Sequence, residues 1–140
     1  MKEGVRKLSK IRLSRARTAW KEGHVLFEQG FFVGAVNRFY YAAFYAARAL
    51  LATKELDSSK HSGVIALFHK HFVQTHLFDI ARAKTLSRSF ELRQDSDYEN
   101  FVSLTRHKTE LLKAEVEVFI DESEKVLKQD DEIDMIYSGL

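Results

Sequence analysis

The stretch FFVGAVNRFYYAAFYAARALLA, Phe31 to Ala52, limits what this chain can become more than any other. As a helix it is about long enough to cross a bilayer. It also holds Asn37, Arg38 and Arg48 together with three tyrosines, and two arginines within a span would be costly in lipid. The reading that remains is a mostly buried helix of a bundle outside the membrane. Phe32, Val36, Phe39, Ala43, Ala46 and Leu50 recur at alternating spacings of four and three, the period of one helix face. The alanines along it let a neighbouring helix approach closely.

The same period organises the rest of the chain. Helix one is expected from about Glu3 to Glu28, with Leu13, Ala16, Trp20 and Phe27 near one face, ended by Gly30, because glycine accepts the left-handed turn conformation. Helix two runs to about Thr53. In the DSSKHSG break, Asp57, Ser58 or Ser59 can cap helix three, which runs to about Gln74 with Val64, Ile65, Phe68 and Phe72 inward. Helix four spans about Asp79 to Arg93, with Ile80, Ala83, Leu86 and Phe90 inward. Helix five spans about Tyr98 to Lys128, with Phe101, Leu104, Leu112, Val116 and Phe119 on its apolar side. No stretch with the strand period is long enough to matter. Short connections make the first two helices antiparallel, and the expected fold is all-α, a five-helix up-and-down bundle. The length suits one domain, taken as residues 1–128. Residues 129–140 form an acidic tail with apolar insertions that frays or docks as a short helix on this chain or a partner.

Charge is unevenly placed although the net value is only +2. Residues 1–21 hold eight lysines and arginines against Glu3 alone, and the C-terminal part is acidic. Either the first helix offers a basic face to nucleic acid, or first and last helices lie side by side and offset one another. Helix two has a second stripe, Arg38, Tyr41, Tyr45 and Arg48. It suits phosphate binding and base stacking, or equally an amphipathic rim with tyrosine hydroxyls reaching water.

Several chemistries are disfavoured. There is no cysteine, hence no disulfide or thiolate chemistry. His69, His71 and His76 are separated by two, five and seven residues, which does not set a metal-chelating pair on one helix face, and no HExxH occurs; no metal or other cofactor is expected. No phosphate-cradling glycine loop or serine-nucleophile elbow is present. The first residues are basic and lack an apolar signal region, so a cytoplasmic setting without membrane association is expected. His61 stands apart, in the first turn of helix three beside the serines.

Three pieces in order, NRFYYAAFYAARALL (Asn37 to Leu51), KHSGVIALFHKHF (Lys60 to Phe72) and ELRQDSDYENF (Glu91 to Phe101), resemble the HEPN family. With the helix spacing, the resemblance covers nearly the whole chain. It is closest to the small stand-alone prokaryotic group often encoded beside a minimal nucleotidyltransferase. The resemblance implies a five-helix bundle, frequent homodimers and, in many members, metal-independent RNase activity, often as toxins. The family motif is an arginine followed after four to six residues by a histidine. The arginine would stabilise charge on the attacked phosphate, and the histidine would move the ribose 2′-hydroxyl proton.

Here Arg93 matches the motif arginine, but the histidine positions hold Tyr98, Glu99 and Asn100. Tyrosine, with a pKa of about 10, is a poor base at neutral pH. Two readings of RQDSDYEN stay open. Asp95 or Asp97 caps helix five, Arg93 pairs with an aspartate, and the segment is a joint. Alternatively Arg38, Tyr41, His61, Arg93, Asp97 and Tyr98 converge on a nucleotide or RNA phosphate. The catalytic candidates are Arg93, Tyr98 and His61, and Tyr98 is also where the resemblance would place nucleotidylation by a partner. Three functions follow: a HEPN binding module paired with a nucleotidyltransferase in a toxin–antitoxin-like system, an active RNase with a substitute base, or an oligomeric helical scaffold.

Overall fold

The computed structural model describes residues 2–97 and 104–138. Over them the chain forms α1 (Glu3–Glu28), α2 (Phe32–Ala52), α3 (His61–Phe68), α4 (Ile80–Asp97) and α5 (Arg106–Ser138), with no strand among the described residues. This is the all-α, five-helix up-and-down bundle that the periodicity predicts. No described helix is long and apolar enough to cross a membrane.

Helix ends follow local chemistry. At the end of α1, Gly30 takes φ +81°. Its N–H donates to the Phe27 carbonyl at 3.0 Å, and the Phe31 N–H donates to Leu26 at 2.9 Å. Those two bonds satisfy carbonyls that α1 leaves open, and the chain reverses into α2. Asp79 Oδ1 accepts the Arg82 N–H at 3.1 Å and starts α4. Thr105 Oγ1 accepts the Lys108 N–H at 3.1 Å and starts α5.

Four expected boundaries move. The α-helix of α3 stops at Phe68, and His69–Val73 form a π-helical turn in which the Gln74 N–H donates to the His69 carbonyl at 2.9 Å. The wider turn carries two successive apolar side chains, Phe72 and Val73, inward. α4 continues past Arg93 to Asp97, so the polar segment's first half is helical. α5 begins at Arg106, and the expected start at Tyr98 and inward Phe101 lie outside the described residues. α5 also does not end at Lys128: the acidic tail continues it through Ser138, and Asp131 accepts from Arg6 Nε at 3.0 Å. The expected cap on α3 is absent, since none of Asp57, Ser58 and Ser59 caps it by a side-chain hydrogen bond. Asp57 instead accepts the Ser58 N–H at 2.8 Å, and Ser58 Oγ accepts the Lys60 N–H at 3.3 Å, which fixes the loop rather than the helix.

α2 is the central element, with 13 of its 21 residues buried, so nearly every side of it meets another helix. At one end of the core Phe68, Phe78 and Phe119 meet, with ring centroids 5.2 Å (Phe68–Phe78) and 5.0 Å (Phe78–Phe119) apart. Burying a side chain of this size contributes about 1.5–3 kcal/mol. Ile80, expected inward, is 51% exposed, because it is the first residue of α4 and borders an open groove between α3 and α4 instead of a packed helix face.

α1 and α5 lie side by side, and their charges pair. Arg17 donates to Asp121 at 2.8 Å and to Glu124 at 3.3 Å, and Trp20 Nε1 donates to the Lys113 carbonyl at 3.0 Å. The two compositional extremes of the sequence thus offset each other across one helix pair.

Candidate functional site

The site is built on the outer stripe of α2. Arg38, Tyr41, Tyr45 and Arg48 project from one flank at three-and-four spacing, as the helical period requires. The start of α3 brings His61 to this flank, and the last turns of α4 bring Arg93. The Arg93 guanidinium carbon stands 5.1 Å from the centroid of the Tyr40 ring and 5.2 Å from that of Tyr41. Arg38 stands 5.6 Å from the Tyr41 ring, and the His61 ring meets Tyr41 edge-on at 5.8 Å. Tyr41 is therefore the common neighbour of Arg38, His61 and Arg93, three candidates drawn from three helices.

Two further residues complete the cluster, and sequence reasoning missed both. The Tyr40 hydroxyl lies 2.8 Å from His61 Nδ1, and its ring is wholly buried. Phe44 lies one helical turn further along α2 and packs its ring 4.5 Å from that of His61. Tyr40 falls on the boundary between the apolar stripe of Phe39 and Ala43 and the outer stripe of Tyr41 and Tyr45, so a period count assigns it to neither. The available signal was its position directly before Tyr41 and four residues before Phe44, which puts an aromatic edge along the side of α2.

Electrostatics follow from this packing. Burial, then the positive charges of Arg93 and Arg48, hold the His61 imidazole below its ordinary pKa, so it is neutral at neutral pH. Burial pushes the Tyr40 phenol well above its ordinary value, against a smaller opposite effect of Arg93, so its proton stays on. Arg48 is held by Asp57 through Nε to Oδ1 at 3.2 Å and Nη2 to Oδ2 at 2.7 Å. Arg12 of α1 reaches the same carboxylate at 3.3 Å and the Arg48 carbonyl at 3.1 Å. Burial alone would raise the Asp57 pKa, but the hydrogen bonds from Arg48 and the Ser58 N–H and the two guanidinium charges bring it below the ordinary value.

Beside His61 opens a cleft of about 510 Å³, lined by Phe44, Arg48, Asp57, Ser58, Ser59 and His61. It offers aromatic surface and hydroxyls, and Arg48, the one arginine among the described residues that line it, is bonded there to Asp57. Gly63 packs against Ser58, one of the lining residues. A Cβ there would collide with Ser58 Oγ and stand 2.8 Å from Ser58 Cβ, so only glycine lets the loop fold over the first turn of α3. A larger groove of about 790 Å³ between α3 and α4 has a mostly apolar floor that includes Ile65, Phe68, Val73, Leu86 and Phe90. None of Arg38, Arg48 and Arg93 lines it.

Of the remaining candidates, Tyr98 and the side chain of Asp97 lie outside the described residues. Glu22 holds the Arg38 Nη2 at 2.9 Å. His107, the next histidine after Arg93 in sequence, stands in the first turn of α5 and is exposed. His69, His71 and His76 join no group of three or more potential metal ligands among the described residues.

Comparison with known proteins agrees with the architecture. The HEPN domain model matches residues 9–129. A Methanocaldococcus jannaschii protein named "Putative toxin" is 31% identical over 122 residues, covering 87% of this chain and 82% of that protein. A second protein of that name from the same organism is 37% identical over 105 residues, covering 75% of this chain and 78% of its own. A "UPF0332 protein" of Thermotoga maritima is 37% identical over 114 residues, covering 81% and 86% respectively. With a family model spanning most of the chain and relatives that align along most of their own length, this chain belongs to the HEPN domain family.

Proposed function

We propose that this chain is a nucleotide- or RNA-binding HEPN module acting in a toxin–antitoxin-like pair, with a minimal nucleotidyltransferase as its partner and a homodimer as its working form. The observation that carries the binding reading is the convergence of Arg38, Tyr41, His61 and Arg93 on one aromatic surface. Guanidinium groups over π-faces beside an open cleft suit a phosphate with an adjoining base. The relatives named as toxins support the toxin-like context. The position of the motif histidine holds Tyr98 or a neighbour, which argues for binding over cleavage and leaves Tyr98 as the residue a nucleotidyltransferase would modify.

The test is calorimetric binding of 5′-AMP and of a short single-stranded RNA to wild type and Arg93→Ala. Binding that Arg93→Ala weakens tenfold or more is expected. Equal binding by both proteins, or none by wild type, would remove this reading in favour of an oligomeric helical scaffold. For the partner, copurification with a minimal nucleotidyltransferase of the same organism should give a stable complex, and no complex with any of them would remove the pairing.

A second reading has one observation in its favour. His61 is neutral at neutral pH and borders the cleft, so it is an available imidazole for RNA cleavage in place of the motif histidine. Cleavage in EDTA by wild type, lost in both His61→Ala and Arg93→Ala, would establish it.

A further inference from the structure

His61 can serve a ligand as a base or as a proton donor, and the choice depends on which ring nitrogen carries the hydrogen. Its Nδ1 is engaged by the Tyr40 hydroxyl at 2.8 Å. Tyr40 is 0% exposed, and its phenol stays protonated at any ordinary pH. The hydroxyl hydrogen therefore needs an acceptor, because a buried donor left without one keeps its full desolvation cost. An unfilled lone pair on the hydroxyl oxygen costs less. The imidazole, disfavoured in its charged form by burial and by the charges of Arg93 and Arg48, is neutral and so has one nitrogen able to accept. Both groups are satisfied when Tyr40 donates and Nδ1 accepts, which leaves the hydrogen on Nε2. That nitrogen is on the ring edge away from the Tyr40 hydroxyl, and His61 lines the cleft with Arg48, Ser58 and Ser59.

We propose that Tyr40 is a positioning residue that holds His61 as the Nε2–H tautomer, so that the imidazole presents a neutral proton donor to an oxygen of a phosphate group in the cleft. The proposal rests on the binding reading above for its ligand and on the Tyr40–His61 geometry alone for the tautomer. In this state Nε2 has no lone pair free to take the 2′-hydroxyl proton of RNA. The tautomer therefore opposes the second reading above, in which His61 would be the base. The tilted ring contact with Phe44 at 4.5 Å and the edge contact with Tyr41 at 5.8 Å oppose a flip of the imidazole that would exchange its nitrogens.

The experiment is long-range 1H–15N correlation on the 15N-labelled full chain, above the pH at which His61 titrates, for wild type and Tyr40→Phe. An acceptor-type shift at Nδ1 and an N–H-type shift at Nε2 are expected in wild type. In Tyr40→Phe a mixture of tautomers and an upward move of the His61 titration are expected, because a bond that favours the neutral ring is gone. The Nδ1–H tautomer in wild type, or a spectrum unchanged by Tyr40→Phe, overturns the proposal. 5′-AMP titration reads the donor role separately. His61→Gln, whose amide nitrogen stands near the place of Nε2, should keep affinity within about threefold, while His61→Ala should lose about tenfold, the order of one hydrogen bond to a charged group. Equal loss in both variants overturns the donor role. No AMP binding by wild type, with the expected tautomer intact, would refute the nucleotide reading and leave the Tyr40 lock standing.

Discussion

Arg48 and Asp57 close on one another through both oxygens of the carboxylate, at 3.2 and 2.7 Å. This two-pronged bond ties the last turns of α2 to the loop that delivers His61, so the pair sets the position of a site residue that neither of them precedes directly in sequence. Both side chains are partly open to water, 26% and 46% exposed, and the pair's direct contribution to stability is accordingly small. Asp57→Asn should cost about 1 kcal/mol in denaturant unfolding. Its larger effect should fall on 5′-AMP affinity, through loss of loop order. A variant that binds as wild type does would show that the pair has no part in placing His61.

Gly63 carries a steeper penalty. The colliding group is Ser58, and its Cβ as well as its Oγ is in the way, so rotating a hydroxyl does not relieve the clash. Gly63→Ala should destabilise the protein by about 1–3 kcal/mol, the range for overpacking. Adding Ser58→Gly should recover a good part of that loss. Thermal unfolding of both variants tests the coupling, and strictly additive effects would contradict it.

Arg93 combines charge with a planar face against two tyrosine rings. Removing it should change stability little, by about 0.5–2 kcal/mol for the cation–π contacts. Nucleotide affinity should fall by tenfold or more. Arg93→Lys should fold as wild type does but not restore full binding, since an ammonium lacks the planar fork. Full rescue by lysine would mean that charge alone matters at this position.

His61 gives the fold a defined response to acid. Its pKa in the folded chain lies below the ordinary value of 6.5, so between the two values the unfolded chain binds more protons than the folded one. Stability is therefore fully present above about pH 6.5 and falls as the pH drops through that window. The charged groups facing the ring are Arg93 of α4 and Arg48 of α2, both opposing protonation, with Asp57 committed to Arg48. Urea unfolding across this range should show a decline in wild type that is reduced in His61→Gln. Parallel curves for the two proteins would place the acid response elsewhere.

Much of the bundle was legible in the residues. The four-and-three recurrence from Phe32 to Leu50 marks a helix, its alanines mark close neighbours, and Gly30 marks the reversal into an antiparallel partner. These are local rules, with each residue's conformation decided by near neighbours in sequence. The pairing of a basic first helix with an acidic last one was open on composition alone, and the contacts of Arg17 with Asp121 and Glu124 resolve it. The π-turn at His69–Val73 was not legible, because nothing within those five residues departs from an ordinary helix. It arises where burying Phe72 and Val73 together outweighs regular hydrogen bonding.

The sequence by itself determined the helices, their order and the candidates Arg38, Tyr41, His61 and Arg93, because helical period and residue chemistry are properties of short segments. Only the tertiary structure decided that Tyr40 belongs with them. Its burial, its bond to a histidine 21 positions away and the cation above its ring depend on α2, α3 and α4 meeting at one place. That meeting is set by how the core packs, through contacts between residues far apart in the chain, and no local period records it.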